Sequence, residues 1–505
     1  MEKSIIIIGA GIAGLSAGCY GQMNGYRTRI FEMHTSPGGL CTAWKRRGYT
    51  FDGCIHYLVG ARPGLSFYRL WEELGAVQGR QMVTHEEASR VPGRDGKTFV
   101  LYNDIDRLEQ HMKELAPADA KVIEEFAGLS RLFTGFVVPW EKPRGLMTLP
   151  ELLRTGIKMM PFLRAMGKWS KVSIGEFAAR FTDRSLREMF LQMFPVPDGP
   201  MISLFLNRAF AQNGDAASPV GGSLEFARAI ERRYTGLGGQ IHYRSRVDKI
   251  LVEEGRAIGV RVADSDGSFR EEYADVVVSA ADGHATIFDM LDGKYIDAEI
   301  QSIYDGRPVW RPWIQVSLGV ARNMANEPHA FVAPLTEPFT VAGEAIVQLN
   351  VRHFYFDPTM APPGKSVVAV DFESDYGYWK ALSKDRGQYQ AAKQRVAQEV
   401  IARLEPLFPG ISQQVEVIDV VTPTTYECYT GNWQGSPMGW MFTTKTPGFG
   451  TGKGMRKTLP GLERFHMIGQ WVEPGGGLPG VAITGRDLIQ ILCKQDGKPF
   501  ATMVP

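Results

Sequence analysis

Three glycines close to the start of the chain have the spacing of a phosphate-binding loop. Gly9, Gly11 and Gly14 directly follow the apolar run Ser4–Ile8, which is typical of a buried parallel strand. In a strand–turn–helix unit the first glycine permits the tight turn, the second lets backbone approach a pyrophosphate, and the third lets helix and strand pack closely. The N-terminus of the helix adds free N–H groups and a positive dipole. The pattern therefore predicts a dinucleotide site.

An acidic residue follows at the distance that a ribose-binding role requires. Apolar spacing predicts a helix over Leu15–Asn24 and a second strand over Arg27–Phe31. Glu32 stands at the end of that strand, 18 residues after Gly14, and is placed to accept hydrogen bonds from ribose hydroxyls. A carboxylate at this position also disfavours the 2′-phosphate of NADP.

The residues after Glu32 favour a flavin over a nicotinamide. Met33 opens a stretch that ends in Gly38, Gly39 and Leu40. This spacing of one acid, five residues and two glycines resembles the flavoprotein superfamily of amine oxidases and carotenoid desaturases. The resemblance implies FAD, with the backbone of the two glycines close to its diphosphate or its ribityl chain.

A second glycine-rich loop lies near the other end of the chain. Gly475, Gly476 and Gly477 precede Val481–Leu492, whose apolar residues have helical spacing. Such a loop at a helix N-terminus favours negative charge, and beside a flavin it would stabilise the reduced ring around N1 and O2. Three adjacent glycines also leave a flat surface on which a ring can lie.

This C-terminal loop carries the most specific family resemblance. The segment Gly469–Gly480 reads GQWVEPGGGLPG and resembles the signature of phytoene desaturases, carotenoid isomerases and retinol saturases. Pro219–Ser223 and Val276–Asp282 resemble further segments of that family, so the resemblance runs in order from end to end. Two residues depart from the family pattern: Gln470 stands where relatives often carry an acid, and Gly283 replaces a proline.

The resemblance implies a Rossmann-type α/β fold of the GR2-like class that binds FAD, joined to a mixed α+β substrate domain. In this fold the backbone of Val247 would contact the adenine. The motifs and the resemblance together imply the following cofactor-binding residues: Gly9, Gly11, Ala13, Gly14, Glu32, Met33, Gly38, Gly39, Leu40, Val247, Ala280, Gly469, Gln470, Gly480 and Val481.

The family segments divide the chain into two predicted domains. Residues 1–75, 215–295 and 420–505 are expected to converge into one discontinuous FAD-binding domain, and residues 76–214 and 296–419 to form the substrate domain. Alternating apolar residues predict strands at 247–253, 257–263 and 269–273, and strand-like runs predict further strands at 313–320, 345–351 and 366–372. Asp266-Gly267 predicts a hairpin turn, and a helix is expected over 388–404.

The composition excludes several classes of protein. The 505 residues include 56 basic and 55 acidic ones, and a net charge of +1 argues against a nucleic-acid-binding protein with a basic face. Hydrophobic residues at 44% exclude a disordered chain. Five cysteines without a CxxC pair read as reduced thiols of a cytosolic protein, and nothing marks Cys41 or Cys54 for covalent flavin attachment. With neither a signal-peptide pattern nor an apolar run of about 18 residues, the chain is expected to be cytoplasmic.

Residues 141–171 combine basic and apolar side chains. Seven basic residues stand against Glu141 and Glu151, and leucines, methionines and a tryptophan lie between them. This pattern fits a pair of interfacial helices, broken at Pro161, on the inner face of a membrane from which a lipid substrate would enter. A core helix with a solvated basic edge explains the same pattern, and both interpretations stay open.

Few catalytic side chains are expected, because a flavin supplies its own chemistry and the protein orients the substrate. His56 and Tyr57, together with Trp471 and Glu473 beside the glycine loop, are the candidates nearest the predicted ring. His56 would exchange a proton near neutral pH. For each of these residues a packing role is the alternative, and no residues have the spacing of a metal site.

In the family that the chain resembles, hydride moves between flavin N5 and a conjugated carbon skeleton, or reduced flavin drives cis–trans isomerisation. The sequence therefore predicts an FAD-dependent desaturase, saturase or isomerase that acts on a hydrophobic polyene of the carotenoid or retinoid kind. Only one dinucleotide fingerprint is visible, so oxygen, a quinone or another acceptor is expected to reoxidise the flavin. The alternatives are an amine-oxidase-like flavoprotein and a non-catalytic escort protein that kept the fold.

Overall fold

The computed structural model describes residues 2–264, 266–446, 455–473 and 477–505. Its strands are β1 Ser4–Ile8, β2 Arg27–Phe31, β3 Ala43–Arg46, β4 Tyr49–Asp52, β5 Leu58–Val59, β6 Met82–Val83, β7 Glu87–Pro92, β8 Thr98–Tyr102, β9 Ala216–Pro219, β10 Gln240–His242, β11 Arg246–Glu253, β12 Arg256–Ala263, β13 Phe269–Tyr273, β14 Val276–Ser279, β15 Trp313–Val320, β16 Ala330–Val341, β17 Glu344–His353, β18 Ser366–Glu373, β19 Val415–Val421 and β20 Phe465–Met467.

The helices lie between these strands along the chain, and six of them, α3 to α8, follow one another without a strand. They are α1 Ile12–Met23, α2 Ser66–Glu73, α3 Ile105–Leu115, α4 Ala120–Thr134, α5 Leu149–Trp169, α6 Ile174–Ala178, α7 Arg184–Met193, α8 Met201–Gln212, α9 Gly222–Gly236, α10 Ala298–Gly306, α11 Tyr376–Leu382, α12 Arg386–Leu404, α13 Ile411–Gln414, α14 Pro423–Thr430 and α15 Leu478–Gln495. A short π-helix spans Ala285–Met290.

A five-stranded parallel sheet organises the first and last parts of the chain. Its strands lie in the order β10-β2-β1-β14-β20, and every neighbouring pair is parallel. All five residues of β1 are buried, as expected for a β-branched run in the middle of such a sheet. The chain leaves β1 toward β2 on one side and meets β14 on the other, so the strand order reverses beside β1. The predicted Rossmann-type α/β fold is confirmed.

Gly485 lets α1 and α15 cross closely on this sheet. A Cβ atom at Gly485 would lie 2.6 Å from the backbone nitrogen of Ala17 and 2.7 Å from the carbonyl oxygen of Ala13. The hydroxyl of Ser16 donates a 2.6 Å hydrogen bond to the carbonyl of Ala482 across the same contact. The first helix and the last helix of the chain are therefore packed backbone against backbone.

The sheet carries a three-stranded antiparallel meander formed by β11, β12 and β13. The turn between β12 and β13 is closed by a 2.9 Å hydrogen bond from the amide of Asp264 to the carbonyl of Ser268. The predicted strands of this region and its hairpin are confirmed to within one residue at each end. Val247, the residue expected to contact adenine, lies near the start of β11.

A second five-stranded sheet has a core of its own. Its order is β16-β17-β18-β15-β19, with antiparallel neighbours throughout. The buried residues of these strands and of α12 form one hydrophobic cluster, which includes Trp379, Val396 and Leu404. The strands predicted at 313–320, 345–351 and 366–372 and the helix at 388–404 are all present.

Helices α3 to α8 pack together in one layer. The structure of α5 corrects one prediction. The break expected at Pro161 is wrong, because α5 is a single helix from Leu149 to Trp169 that contains Pro161. A proline removes one backbone hydrogen bond, whereas Phe162, Ala165 and Trp169 are buried against the protein and hold the following turns in place. In the part of the chain that the structure describes, no helix is both long and apolar enough to cross a bilayer.

Candidate functional site

A deep cleft opens at the carboxyl ends of β1, β2 and β14. Its volume is about 1310 Å³, larger than the roughly 300–1,000 Å³ that drug-sized ligands usually occupy. Ile8, Phe31 and Ala280 lie at the ends of these three strands and line the cleft. The cleft thus occupies the point where the strand order reverses, which is where open α/β sheets bind their ligands.

The turn after β1 is fixed by the acid at the end of β2. Both carboxylate oxygens of Glu32 accept backbone hydrogen bonds, Oε2 from the amide of Ala10 at 2.7 Å and Oε1 from the amide of His34 at 2.8 Å. Gly9 turns with a φ of +97°, which L side chains rarely adopt. Glu32 is buried and also lines the cleft, where the ribose is expected.

The glycines of the N-terminal motif separate into two kinds. A Cβ atom at Gly14 would stand 2.0 Å from the carbonyl oxygen of Gly9, so Gly14 serves the packing of helix on strand. A Cβ atom at Gly11 would meet nothing within 4 Å and would project into the open cleft. At Gly39 it would approach only the Cα of Gly11, at 3.5 Å. Gly11 and Gly39 therefore expose bare backbone to a ligand.

The N-terminus of α15 opens into the same cleft. Gly477 precedes the helix with a φ of +87°, and both Gly477 and Leu478 line the cleft. The amide of Gly469 donates a 2.9 Å hydrogen bond to Oγ1 of Thr484, which ties the loop to the helix that follows it. Pro474, Gly475 and Gly476, on which the prediction of a flat glycine surface rests, lie outside the described residues.

The cleft gathers most of the predicted cofactor-binding residues. Those that line it are Gly9, Gly11, Ala13, Glu32, Met33, Gly38, Gly39, Leu40, Val247, Ala280, Gly469, Gln470 and Val481. Two of the predicted residues, Gly14 and Gly480, do not line the cleft. Gly14 packs on Gly9, and Gly480 lies in the first turn of α15, where a Cβ atom would meet nothing within 4 Å.

Only some of the predicted catalytic candidates line the cleft. His56, Tyr57 and Trp471 line the cleft, whereas Glu473 does not. Burial raises the pKa of Glu473, and the ammonium of Lys457 opposes that shift. Trp471 is 2% exposed and packs edge-on against Trp440, with 5.3 Å between ring centroids, so most of its ring belongs to the core.

A buried acid holds the loop that presents His56 and Tyr57. Asp52, at the end of β4, accepts from the hydroxyl and the amide of Ser223, both at 2.6 Å. The amide of Ile55 donates to that hydroxyl at 2.8 Å. A Cβ atom at Gly222 would lie 2.4 Å from a carboxylate oxygen of Asp52. The Gly222-Ser223 pair therefore positions the loop that carries the candidate catalytic residues.

His56 is held as a neutral imidazole. Its ring centroid lies 6.2 Å from that of Trp313, and both residues line the cleft. Water reaches His56 through the cleft, yet protein surrounds it closely enough that desolvation lowers its pKa well below the ordinary value, and the positive charge of Arg352 adds to this effect. This shift favours the uncharged ring, which can accept a hydrogen bond, and it disfavours the proton exchange near neutral pH that the sequence predicts for His56.

Cys41, which lines the cleft, is kept as a thiol. A hydrogen bond with Cys54 and then burial hold the pKa of Cys41 well above its usual range. The sulfur of Cys41 also lies 3.3 Å from the carbonyl oxygen of Ser223. Since the thiolate is the reactive form, Cys41 lacks the character of a nucleophile.

Sequence reasoning missed the opposite wall of the cleft. It is formed by Trp313 of β15, by side chains of α11 and α12 and by residues from Thr424 to Asn432. Lys380, Arg386 and Lys393 bring three basic side chains to this wall. Nothing in the sequence marks these residues, because they lie on ordinary amphipathic elements and meet the motifs only through the fold. In the described part of the chain, no three His, Cys, Asp or Glu side chains form a group that can hold a metal ion.

Three characterised relatives align with most of the chain. The chloroplastic prolycopene isomerase of Arabidopsis thaliana is 25% identical, over 95% of this chain and 81% of that protein. The inactive all-trans-retinol 13,14-reductase of Danio rerio is 26% identical, over 83% of this chain and 74% of that protein. The lycopene-forming phytoene desaturase of Pseudescherichia vulneris is 23% identical, over 96% and 98%.

The fold and a family model agree with these relatives. The crystal structure of an oxidoreductase from Methanosarcina mazei superimposes with a TM-score of 0.60 at 19% identity, over 96% of this chain and all of that one, which shows the same fold. A sequence model described as flavin-containing amine oxidoreductase matches residues 12–487. The chain is an oxidoreductase with FAD as its cofactor, and it belongs to the family of flavin-containing amine oxidoreductases.

Proposed function

We propose that this enzyme desaturates, saturates or isomerises a hydrophobic polyene of the carotenoid or retinoid kind. The observation that carries the proposal is the large cleft, which joins the N-terminal glycine motif to an aromatic wall at His56, Tyr57 and Trp313. The similarity to a prolycopene isomerase and a phytoene desaturase over nearly the whole chain supports the same substrate class. When FAD is bound, it supplies hydride transfer to or from a carbon skeleton.

The residues of the cleft fit FAD on structural grounds. Gly11 and Gly39 leave the space that side chains would otherwise fill, and the N-terminus of α1 directs its first amides toward that space. We assign the pyrophosphate to this place, the adenosine ribose to Glu32 and the adenine to the backbone of Val247. The N-terminus of α15 at Gly477 would then stabilise negative charge on the ring.

We further propose that residues 1–75, 215–295 and 420–505 act as one FAD-binding unit. Strands β1, β2, β10, β14 and β20 all come from these segments, and so do α1, α9 and α15. The second sheet draws four of its strands from residues 296–419 and its fifth, β19, from Val415–Val421 at their border. Substrate would bind between the two units, beside the loop Ile55–Tyr57.

Anaerobic reduction tests this function. The purified protein should show flavin absorbance near 450 nm. A desaturase should bleach that band with one of a panel of carotenoids and retinoids as the desaturated product forms, whereas an isomerase should form the cis–trans isomer with the reduced flavin and leave the flavin spectrum unchanged. For a saturase, the chemically reduced enzyme should be reoxidised by the polyene. Turnover of amines alone would instead assign an amine oxidase, and a colourless protein would assign a non-catalytic escort role; either result contradicts the proposal.

We also propose that α5 rests on a membrane surface. Leu149, Leu153, Ile157, Met160 and Leu163 are between 53% and 77% exposed. Their spacing of three and four residues places them on one side of the helix, and the buried residues Phe162, Ala165 and Trp169 occupy another. Contiguous exposed apolar residues of this kind mark interaction surfaces.

The charge of this surface supports an anionic bilayer as its occupant. Arg154, Lys158, Arg164 and Lys168 are exposed along the same helix. Apolar side chains that enter the interface, flanked by cations that reach lipid phosphates, are typical of helices that lie in the plane of a membrane. Such contact would let a lipid substrate leave the bilayer close to the enzyme.

Vesicle flotation tests the membrane contact. With vesicles rich in phosphatidylserine, the native protein should float, and Leu153→Glu combined with Ile157→Glu should keep it at the bottom of the gradient. Leu407→Glu alters another exposed leucine, 43% accessible and distant from α5 in sequence, and should float like the native protein. Flotation of all three proteins, or of none, would contradict the role of α5.

A further inference from the structure

A hydrogen-bond chain behind the cleft ends on the hydroxyl of Tyr57. Tyr57 is 48% exposed and lines the cleft next to His56. Its hydroxyl oxygen contacts the side-chain amide of Asn207, which lies 150 residues further along the chain, on α8. The carbonyl oxygen of the same amide accepts a 2.7 Å hydrogen bond from Nη2 of Arg208.

The chemistry of arginine fixes the direction of this chain. A guanidinium has only donors, so the oxygen of the Asn207 amide must face Arg208 and the NH₂ group must face Tyr57. The Tyr57 oxygen is therefore an acceptor toward Asn207. Its own proton is left for a partner elsewhere, and in the described part of the chain no protein acceptor takes it. Tyr57 thus presents an oriented O–H donor to the cleft.

Arg208 adds a positive charge that the protein does not neutralise. Its side chain is buried, with 4% exposed, and its Nε has no hydrogen-bond partner within the described ranges. Among the residues that the structure describes, Arg208 forms no ion pair with a carboxylate, and its Nη1 donates to the carbonyl oxygen of Tyr102 at 3.5 Å. Desolvation lowers the pKa of Arg208 only to about 10, so it stays cationic at neutral pH. An uncompensated buried cation is costly unless a ligand supplies negative charge nearby.

We propose that the substrate is an oxygenated polyene, whose carbonyl or carboxylate oxygen accepts a hydrogen bond from Tyr57. The inference rests on the proposed function and narrows its substrate class from carotenoids and retinoids in general to polyenes that end in a carbonyl or carboxylate group. Asn207 and Arg208 act as positioning residues, because they touch Tyr57 or one another rather than the substrate.

The alternative, a hydrocarbon in this part of the cleft, leaves the donor unpaired. A methyl-ended chain would displace water from the Tyr57 hydroxyl and supply no acceptor, which costs the full desolvation of that group. A carboxylate would gain in addition from the charge of Arg208 through the shared network. The site should therefore bind a polyene that ends in a carboxylate more than tenfold more tightly than one that ends in a methyl group. This is the range expected for a hydrogen bond to a charged group.

Binding to the FAD-loaded enzyme tests the inference with four probes that share one polyene. They are all-trans-retinoic acid, retinal, retinol and the hydrocarbon in which a methyl group replaces the oxygen function. The dissociation constant of each is measured by quenching of tryptophan fluorescence. We expect the acid or the aldehyde to bind at least tenfold more tightly than the hydrocarbon, and the comparison of acid with aldehyde shows which oxygen the site prefers.

Two variants separate recognition from structural support. Tyr57→Phe should remove the preference and leave the affinity for the hydrocarbon within about twofold. Asn207→Asp keeps the shape but has only acceptors toward Tyr57 and Arg208, so the Tyr57 proton should turn toward the new carboxylate and the preference should again be lost. Tyr273→Phe removes the hydroxyl of another exposed tyrosine, on β13 and outside the cleft lining, and should bind all four probes like the native enzyme.

The outcomes distinguish this inference from the function on which it rests. Equal binding of all four probes to the native enzyme, or a preference that survives in Tyr57→Phe, overturns the oxygenated substrate and leaves a polyene enzyme in place. If none of the probes binds and no carotenoid exchanges hydride with the flavin, the polyene function fails, and the inference falls with it.

Discussion

At the residue scale, Gly11 and Gly14 belong to the same N-terminal motif but have different roles. Gly14 is required by the protein itself, since any side chain would meet the carbonyl of Gly9. Gly11 is required by a ligand, since a side chain there would meet only the space of the cleft. The sequence motif predicts all three glycines together, but only the surroundings of each Cα show which partner needs it.

Alanine at these two positions should therefore give opposite results. Gly14→Ala should lower the free energy of unfolding by about 1–3 kcal/mol, as overpacking does, in protein with or without flavin. Gly11→Ala should leave the melting temperature of flavin-free protein unchanged and lose at least tenfold in FAD affinity. Thermal melts and flavin titration of both variants decide, and equal behaviour of the two in both assays would contradict the division.

A buried aspartate should make stability depend on pH. Asp282 is 3% exposed and accepts from the amides of Ala285 and Trp433, both at 2.8 Å. Burial raises its pKa to about 7, against about 3.9 in the unfolded chain. The folded state thus holds a proton that the unfolded state has already lost, so this contribution to stability is present below about pH 4 and disappears as the pH rises through 7.

Asp282→Asn should remove that dependence. Between pH 5 and pH 8 the free energy of unfolding of the native protein should fall more steeply than that of the variant, by a difference on the order of 2 kcal/mol. Urea melts at saturating FAD measure it. Asp305→Asn, which removes an exposed carboxylate, should keep the native slope. Parallel curves for the native protein and Asp282→Asn would show that Asp282 stays ionised when folded.

At the element scale, local patterns predicted strands well and helix limits less well. Short, mostly apolar runs located β15 and β18, because strands that are buried on both faces have near-continuous apolar sequences. The start of α15 was expected at Val481 and lies at Leu478, since Pro479 fits the first turn of a helix. Pro161 was expected to end a helix, but burial of the following turn outweighs the one hydrogen bond that it removes.

The crossing of α1 and α15 offers a matched pair of glycines in one helix. At Gly485 a Cβ atom would lie 2.6 Å from the backbone of α1, whereas at Gly480 it would meet nothing within 4 Å. Gly485→Ala should lower the free energy of unfolding by about 1–3 kcal/mol. Gly480→Ala should be neutral or raise it by up to about 1 kcal/mol through helix propensity. Chemical denaturation of both variants tests this, and a loss at Gly480 equal to that at Gly485 would contradict it.

At the scale of the whole molecule, the sequence predicted one side of the cleft and could not predict the other. The N-terminal glycine motif, Glu32 and the C-terminal glycine loop could be predicted, because each is a local sequence pattern that is associated with binding of a phosphate, a ribose or a flavin ring. Asn207 and Arg208 were not, because an asparagine next to an arginine on a helix is unremarkable until the fold brings Tyr57 beside them. Long-range pairs of this kind have no signature in a single sequence.

The same architecture predicts that the cofactor stabilises the entire fold. The cleft is lined by distant parts of the chain, among them Gly11, Val247 and Gly469, so a ligand that binds all of them favours only the folded state. At a free FAD concentration about 1,000 times its dissociation constant, the gain is about 4 kcal/mol. Removal of flavin should therefore lower the melting temperature by several degrees, and added FAD should restore it.

FMN serves as the matched ligand for this experiment, because it has the ring and one phosphate but lacks the adenosine that Glu32 and Val247 are assigned to hold. We expect FMN at the same concentration to restore less than half of the shift in melting temperature. Glu32→Gln, which exchanges a charged acceptor for a neutral one, should reduce the shift produced by FAD and leave that of FMN unaltered. An equal response to both flavins would place the adenosine outside the cleft, and no response to either would contradict the cofactor site.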